Sequence, residues 1–328
     1  MNIFPTQYSV LSSKALQSYL SEHYDFIVTN CRLIVHNVSD TYLVETDSDK
    51  YIFKIYRDAH RSHDEIMGEA ELLLYFKDNG ASVSYPVKDE SEKLLQAFNA
   101  AEGMRYGLMF SYAKGQNLYL MNDHQLELVG TEMAKLHVIA SSVKLSYPRK
   151  KYTVETTITE PIKIIKPAFE GMEVGYEYLV KTADFVLNEL SKLNIEKFSY
   201  GYCQYDFLPK NFHFEGDEKL TFFDFDFAGQ GYLINDIATF YIHFFLDVYT
   251  GKMSREEADR SFNVFLEAYR KVKPVSDEEV NSIKYFGFGF WIFYFGFNQE
   301  NFDDWSNIFF TPNFIKGRIE LIKKWMEY

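Results

Sequence analysis

The chain has 328 residues, 47% of them hydrophobic and 25% charged, so it is globular and long enough for about two domains or lobes. Its formal net charge of -13 argues against a nucleic-acid-binding surface, which needs a basic stripe. The same charge suits a cationic substrate or simply a soluble acidic surface.

The N-terminal third reads as mixed sheet and helix. Residues 14–23 form a short amphipathic helix candidate, and residues 31–37 and 41–46 read as strands around a polar turn. A third strand, residues 51–56, is rich in aromatic and β-branched residues and carries Lys54 in its middle. Residues 64–78 follow helical spacing, with Asn79 and Gly80 as the stop. Short strands follow at 83–87, 94–98 and 105–111, and Lys114-Gly115-Gln116 reads as a connector. The boundary is placed there, giving an N-terminal lobe of 1–113 and a C-terminal lobe of 114–328.

The rest is mostly helical, with helices at 123–141, 176–193, 235–249, 255–271 and 316–327. Residues 147–171 hold Pro148, Pro161 and Pro167 and read as a loop-rich insertion of the kind that shapes a substrate site. The run 285–297 is uncharged and aromatic, yet falls short of the roughly 18 residues of a membrane span. It reads as a buried helix. Cys31 and Cys203 make no metal pattern, which fits two buried thiols in a reducing compartment. With no charged, apolar leader in residues 1–5, the expected location is cytoplasmic, with no membrane partner.

Chemistry concentrates between 203 and 226. Asp206, Asn211 five residues later, and Asp224 after a hydrophobic strand form a phosphoryl-transfer spacing. Asp206 can orient a hydroxyl and take its proton, while the Asn211 amide oxygen and Asp224 are hard ligands suited to Mg²⁺ on phosphates. Asp226 lies two residues beyond Asp224 and faces the other way if the strand stays regular. Lys54 and Glu69 form a second pair, in which a helix carboxylate would aim a strand ammonium at the α- and β-phosphates. The ordinary alternative is a strand-edge lysine with its head in water. The turn Asn37-Val38-Ser39-Asp40-Thr41 can set backbone N–H groups over phosphates or be an ordinary hairpin turn, and it lacks glycine. Asp236 reads as a first-turn acid or as a buried carboxylate that braces the Asp206 loop. His137 reads as a packed histidine, and His213 has no assigned role.

This ordered set resembles the aminoglycoside phosphotransferase and choline kinase branch of the protein-kinase-like fold, over roughly residues 30–245. The family carries His-Gly-Asp-x-x-x-x-Asn and then Ile-Asp-(Phe/Trp)-(Asp/Glu/Gly). The equivalents here are Gln204-Tyr205-Asp206 to Asn211, and Phe223-Asp224-Phe225-Asp226. Asp236-Ile237-Ala238 is similar to its Asp-Leu-Ala, and Met133-Ala134-Lys135-Leu136-His137 to its Leu-Ala-x-Leu-His helix. The resemblance implies an α+β, bilobal fold: a small antiparallel-sheet N-lobe with one main helix and a larger, mostly helical C-lobe. It implies Phe110 as gatekeeper, with backbone bonds from Ser111 to Ala113 to the base, and it looks nearest to the stress-response and homoserine-kinase-like members. Gln204 and Tyr205 depart from the family His and Gly; Gln204 can hydrogen-bond the backbone that the His braces.

The expected activity is a Mg²⁺-dependent transfer of the γ-phosphate of ATP or GTP to a small-molecule hydroxyl, on an amino sugar, amino alcohol or similar acceptor. Asp303, Asp304 and Trp305 are candidates to bind a cationic acceptor, against the alternative of a solvated loop. Two other readings stand beside it. One is a Ser/Thr protein kinase, which the short stretch from Asp224 to Asp236 disfavours; the other is a non-catalytic nucleotide-binding module.

Overall fold

The computed structural model describes residues 4–57, 61–302 and 311–328. The chain divides into two compact units, Met1–Lys114 with Leu145–Pro148, and Gly115–Lys144 with Arg149–Tyr328. Residues 145–148, assigned to the second lobe from sequence, group with the first unit. There Glu71 accepts from the backbone N–H and hydroxyl of Ser146 and the backbone N–H of Tyr147.

Among the described residues the first unit is a six-stranded antiparallel sheet with two helices. Its elements are α1 (Ser13–His23), β1 (Val28–His36), β2 (Ser39–Thr46), β3 (Lys50–Tyr56), α2 (His63–Asp78), β4 (Pro86–Val87), β5 (Leu95–Ala100) and β6 (Gly103–Ser111). The order is β1-β2-β3-β6-β4, with β5 on β6. Strand alternation decides which side chains meet which layer. Tyr42, Val44, Phe53, Ile55 and Met109 face one core with Leu16 and Leu20 of α1. Lys54 and Tyr56 point the other way, toward α2, whose buried face is Ile66, Glu69, Ala70, Leu73 and Phe76. Ser62 starts α2 with a reciprocal cap to Glu65, and Gly80 follows its end at φ 85°.

The second unit is mostly helical. It comprises α3 (Asp123–Ala140), α4 (Glu160–Ile164), α5 (Glu173–Ser191), β7 (Tyr200–Cys203), β8 (Phe212–Glu215), β9 (Lys219–Phe222), β10 (Gly229–Tyr232), α6 (Ile234–Tyr249), α7 (Arg255–Val272), α8 (Asp277–Asn281), α9 (Ile283–Asn301) and α10 (Pro312–Glu327). Strands β8 and β9 form a hairpin, and β7 pairs with β10. The long helix α3 lies against α7 because Gly130 allows it. A Cβ there would sit 2.3 Å from the Phe265 carbonyl oxygen. The aromatic run is helix α9, buried by α4, α6 and α10, with Gly287 under the Trp325 ring and Gly296 under Pro161. No helix among the described residues is long and apolar enough to cross a membrane.

The stretch 147–171 corrects the loop-rich expectation. It holds a π-helical turn (Glu155–Thr159), α4 and a 3₁₀ turn (Lys166–Phe169). Ile158, Ile162, Ile165 and Phe169 are all buried, at spacings of four, three and four residues, which is a helical face. Pro161 and Pro167 fall in the first turns of their helices, where proline is tolerated.

Candidate active site

The loop after β7 is held by a buried carboxylate. Asp236, fully buried in the first turn of α6, accepts from the backbone N–H of Gln204 through Oδ2 at 2.9 Å and of Tyr205 through Oδ1 at 2.7 Å. His137 Nε2 lies 3.0 Å from the same Oδ2, and its Nδ1 lies 2.8 Å from the Tyr269 hydroxyl. The carboxylate fixes the proton on Nε2, so Nδ1 accepts from Tyr269. His137 is thus packed in α3 as a brace.

Within the loop, the Asp206 carboxylate is buried and pinned. Asn211 Nδ2 donates to the Asp206 carbonyl at 2.7 Å and to its Oδ2 at 3.0 Å, and Lys210 Nζ lies 2.7 Å from that Oδ2. Oδ1 carries neither bond. Burial raises the Asp206 pKa above the ordinary carboxylate value and the Asp224 charge adds to this; the Lys210 ammonium opposes both. Asn117, just past the connector, clamps the loop by donating to the carbonyls of Pro209 and Phe212, each at 2.9 Å.

Strand β9 stops at Phe222, so the alternation expected for Asp224 and Asp226 does not apply. Asp224 instead takes a left-handed backbone, φ 60°, which a short polar side chain tolerates, and it is exposed. Asp226 is 3% exposed. Gln204 Nε2 donates to the Phe223 carbonyl at 2.7 Å, tying the two loops together. Arg149 donates to the carbonyls of Phe225, Asp226 and Ala228, and the Tyr152 hydroxyl donates to that of Phe227. Sequence reasoning missed Asn117, Arg149 and Tyr152. Each acts on carbonyls about 75 to 95 positions away, with no local motif to mark it.

Tyr205, where the family has Gly, also lies in the left-handed region at φ 68°. Its ring is fully buried and stacked on Tyr152, with centroids 3.6 Å apart and planes 4° from parallel. Phe293 closes edge-on at 5.0 Å. Among the described residues the Tyr205 hydroxyl meets no partner, nor does that of Tyr294 on α9. Burial pushes the Tyr294 hydroxyl far up, with the Asp206 and Asp224 carboxylates adding.

In the first unit, Tyr56 connects the second predicted pair. Its hydroxyl donates to Glu69 Oε2 at 3.1 Å, and Lys54 Nζ lies 5.1 Å from its ring centroid. Lys54 and Glu69 are both buried, at 7% and 1% exposed. Ser39 opens β2 opposite Tyr56. The neighbouring Asp40 is locked by Arg105, Tyr8 and His36, so the turn before it is braced from below. Phe110 pairs with Ile52 and Pro86, and Ala113 is buried. Ser111 narrows the expected base contacts: its N–H donates to the Tyr85 carbonyl at 2.9 Å, and its own carbonyl accepts from the Ser84 hydroxyl at 2.6 Å. Asp303, Asp304 and Trp305 lie outside the described residues.

The sequence matches the phosphotransferase enzyme family over residues 30–275, most of its length. The chain belongs to the phosphotransferase enzyme family. This phosphotransferase is 29% identical to an uncharacterised protein of Synechocystis sp., over 86% of this chain and 76% of that one. It is 29% identical to the amicoumacin kinase of Bacillus subtilis, over 66% of this chain and 63% of the kinase. Its fold is similar to that of an amicoumacin kinase solved with AMP-PNP, Ca²⁺ and Ami (TM-score 0.74, 19% identity, 97% of this chain and 94% of that one). An antiparallel-sheet N-terminal region followed by a helical C-terminal region is the arrangement of these kinases, and the phosphotransferase acts on hydroxyl groups.

Among the described residues no group of three or more His, Cys, Asp or Glu side chains is arranged to hold a metal alone. The donors still suit Mg²⁺. Asn211 spends its Nδ2 on Asp206, which leaves its amide oxygen, and Asp224 offers an exposed carboxylate. Two hard oxygens suffice for an ion that keeps waters and phosphate oxygens as its other ligands.

Proposed function

We propose that this phosphotransferase moves the γ-phosphate of ATP or GTP to a hydroxyl of a small molecule, with Mg²⁺ held by Asn211 and Asp224. The observation that carries the reading is the Asp206 carboxylate: buried, with Oδ2 committed to Asn211 and Lys210 and Oδ1 carrying neither bond. Oδ1 orients the acceptor O–H and takes its proton. The acceptor oxygen forms a bond to the γ-phosphorus as the β,γ-bridging P–O bond breaks, and the nucleoside diphosphate leaves. The metal ion, when bound, neutralises charge on the phosphate oxygens. Lys54 receives the α- and β-phosphates, with Glu69 held beside it through Tyr56; Phe110, Ser111 and Ala113 border the base, and Ser39 belongs to the phosphate turn. Asp236 and Gln204 keep the loop in shape.

The acceptor is an amino sugar, amino alcohol or related compound, in line with the similarity to amicoumacin kinase. Asp303, Asp304 and Trp305 would receive its amino group. The test is an ATP-consumption screen of such compounds with wild type and Asp206→Asn. The variant should lose about 10²- to 10⁴-fold in kcat yet keep its Mg²⁺-dependent thermal shift with ATP. Undiminished turnover in Asp206→Asn would remove that residue from the chemistry. Turnover of Ser/Thr peptides in place of small molecules would move the reading to a protein kinase.

A further inference from the structure

Arg318 on α10 is out of place in an acidic protein. The chain carries 47 acidic residues against 34 basic ones, yet among the described residues no carboxylate or carbonyl meets this guanidinium. Rings flank it instead. Its Cζ lies 4.7 Å from the Trp291 ring centroid of α9 and 5.2 Å from that of Phe314, one turn earlier on its own helix. Arg318 is half-buried, and burial alone pulls its pKa down to about 10, so the group stays charged at neutral pH while short of solvent. A guanidinium has five N–H donors and no acceptor, and leaving them desolvated and unused is unfavourable.

Trp291 adds a second unused donor beside it. Its indole Nε1–H is buried and meets no acceptor among the described residues. One turn further along α9, on the same side, the Tyr294 hydroxyl is also unpartnered among the described residues, and its ring lies 5.1 Å from that of Phe227, three residues past Asp224. Three residues of helix are about 4.5 Å of rise. A row of donors therefore leads away from the proposed phosphate-transfer position over the length of a small molecule. Packing alone explains an arginine lying on a ring. It does not explain why the guanidinium and the N–H of the ring it lies on both lack acceptors among the described residues.

We infer that Arg318 and the Trp291 indole N–H form an anion-receiving subsite that takes a carboxylate of the hydroxyl acceptor. The guanidinium fork matches a carboxylate with two parallel N–H···O bonds, and the buried indole N–H of the ring it lies on supplies a third donor. Within the amino-alcohol reading the acceptor class thus narrows to one that also carries a carboxylate, such as a hydroxy amino acid, with its amino group held elsewhere. That the anion belongs to the acceptor rests on the phosphotransfer reading; the anion subsite itself does not.

Two experiments separate these. In the first, the full chain is titrated by NMR with glycolate, or with ethylene glycol as its uncharged counterpart, at matched sodium chloride and without nucleotide. The Trp291 indole resonance is the one lost in Trp291→Phe. It should shift saturably with glycolate, stay still with ethylene glycol, and stop responding in Arg318→Met. Arg318→Lys keeps the charge but loses the fork, and should recover only part of the response. A thermal shift with ATP and Mg²⁺ that matches wild type reports that the Arg318→Met fold is intact. No response to glycolate, or one that survives Arg318→Met, overturns the subsite. In the second, L-homoserine and 3-aminopropan-1-ol, which differ by one carboxylate, lead an ATP-consumption screen of hydroxy compounds. Arg318→Met should lower kcat/KM for carboxylate-bearing acceptors about 10- to 100-fold and spare acceptors without one. A best acceptor lacking any anionic group, or failure of every hydroxy compound while glycolate still binds, overturns the assignment to the acceptor and leaves the subsite standing.

Discussion

Tyr205→Gly would restore the residue that the family places before its catalytic acid, and it should make this protein less stable. The two sides can be weighed. Tyr205 holds φ 68°, and relief of a left-handed backbone is worth about 1–2 kcal/mol. Against this stands a ring with no exposed surface, stacked on Tyr152 and closed edge-on by Phe293. Deleting a buried aromatic side chain costs about 3–5 kcal/mol, and the stack adds roughly 1 kcal/mol. The expected balance is about 2–5 kcal/mol of destabilisation, or on the order of 5–20 °C in Tm for a unit of this size. Tyr205→Phe tests the remaining term. It keeps the ring and removes a buried hydroxyl without a partner, so it should stabilise by about 1 kcal/mol. Because Asp236 bonds the backbone N–H rather than the side chain, Tyr205→Phe should retain activity. The assays are urea and thermal unfolding followed by near-ultraviolet circular dichroism, with turnover in parallel. A Tyr205→Gly variant as stable as wild type would refute the reasoning, because it would mean that the strain outweighs the packing.

Asp236→Asn should be among the most damaging single-atom changes in the chain. It replaces a buried acceptor of two backbone N–H groups and of His137 with an amide that must turn a donor toward one of them. A loss of about 3 kcal/mol is expected in chemical denaturation, together with lost turnover. Asp206 gives a pH signature of known sign. Burial raises its pKa, so kcat/KM should fall with decreasing pH along a limb above the ordinary carboxylate value of 3.8, and Lys210→Met should move that limb higher. The same shift means that Asp206 favours the fold while protonated and loses that contribution as pH rises through its folded pKa. Asp206→Asn should therefore raise Tm at neutral pH, with the difference shrinking as pH falls below the unfolded value; a difference that grows in acid would contradict the shift.

Much of this was legible because local patterns serve both fold and chemistry. A charge inside the aromatic strand 51–56 marked Lys54, and the helix after it is one whose buried face includes Glu69. The spacing of Asp206, Asn211 and Asp224 is enough to bring them to one loop cluster, since the β8–β9 hairpin returns the chain to the Asn211 carbonyl through the Phe223 N–H. Other features depend on three-dimensional packing. Arg149, Tyr152 and Asn117 serve carbonyls remote in sequence, and the prolines of 147–171 obscured a helical face that its isoleucines spell out. The left-handed backbones of Tyr205 and Asp224 leave no trace in composition, since neither residue is glycine. Nor could the strand 105–111 reveal that the Ser111 N–H is spent on Tyr85.

Asp236 has a consequence for how the enzyme comes into being. Its carboxylate joins the loop after β7 to α6 directly, to α3 through His137, and to α7 through Tyr269 behind it. The loop can take its working shape only when all three helices have docked. On the role proposed for Asp206, a chain in which α3 or α7 has yet to dock should therefore transfer no phosphate. The bond network would act as a completion check: activity should appear together with the finished fold, and damage far from the loop, such as a wedge at Gly130 between α3 and α7, should register as an inactive enzyme rather than a leaky one.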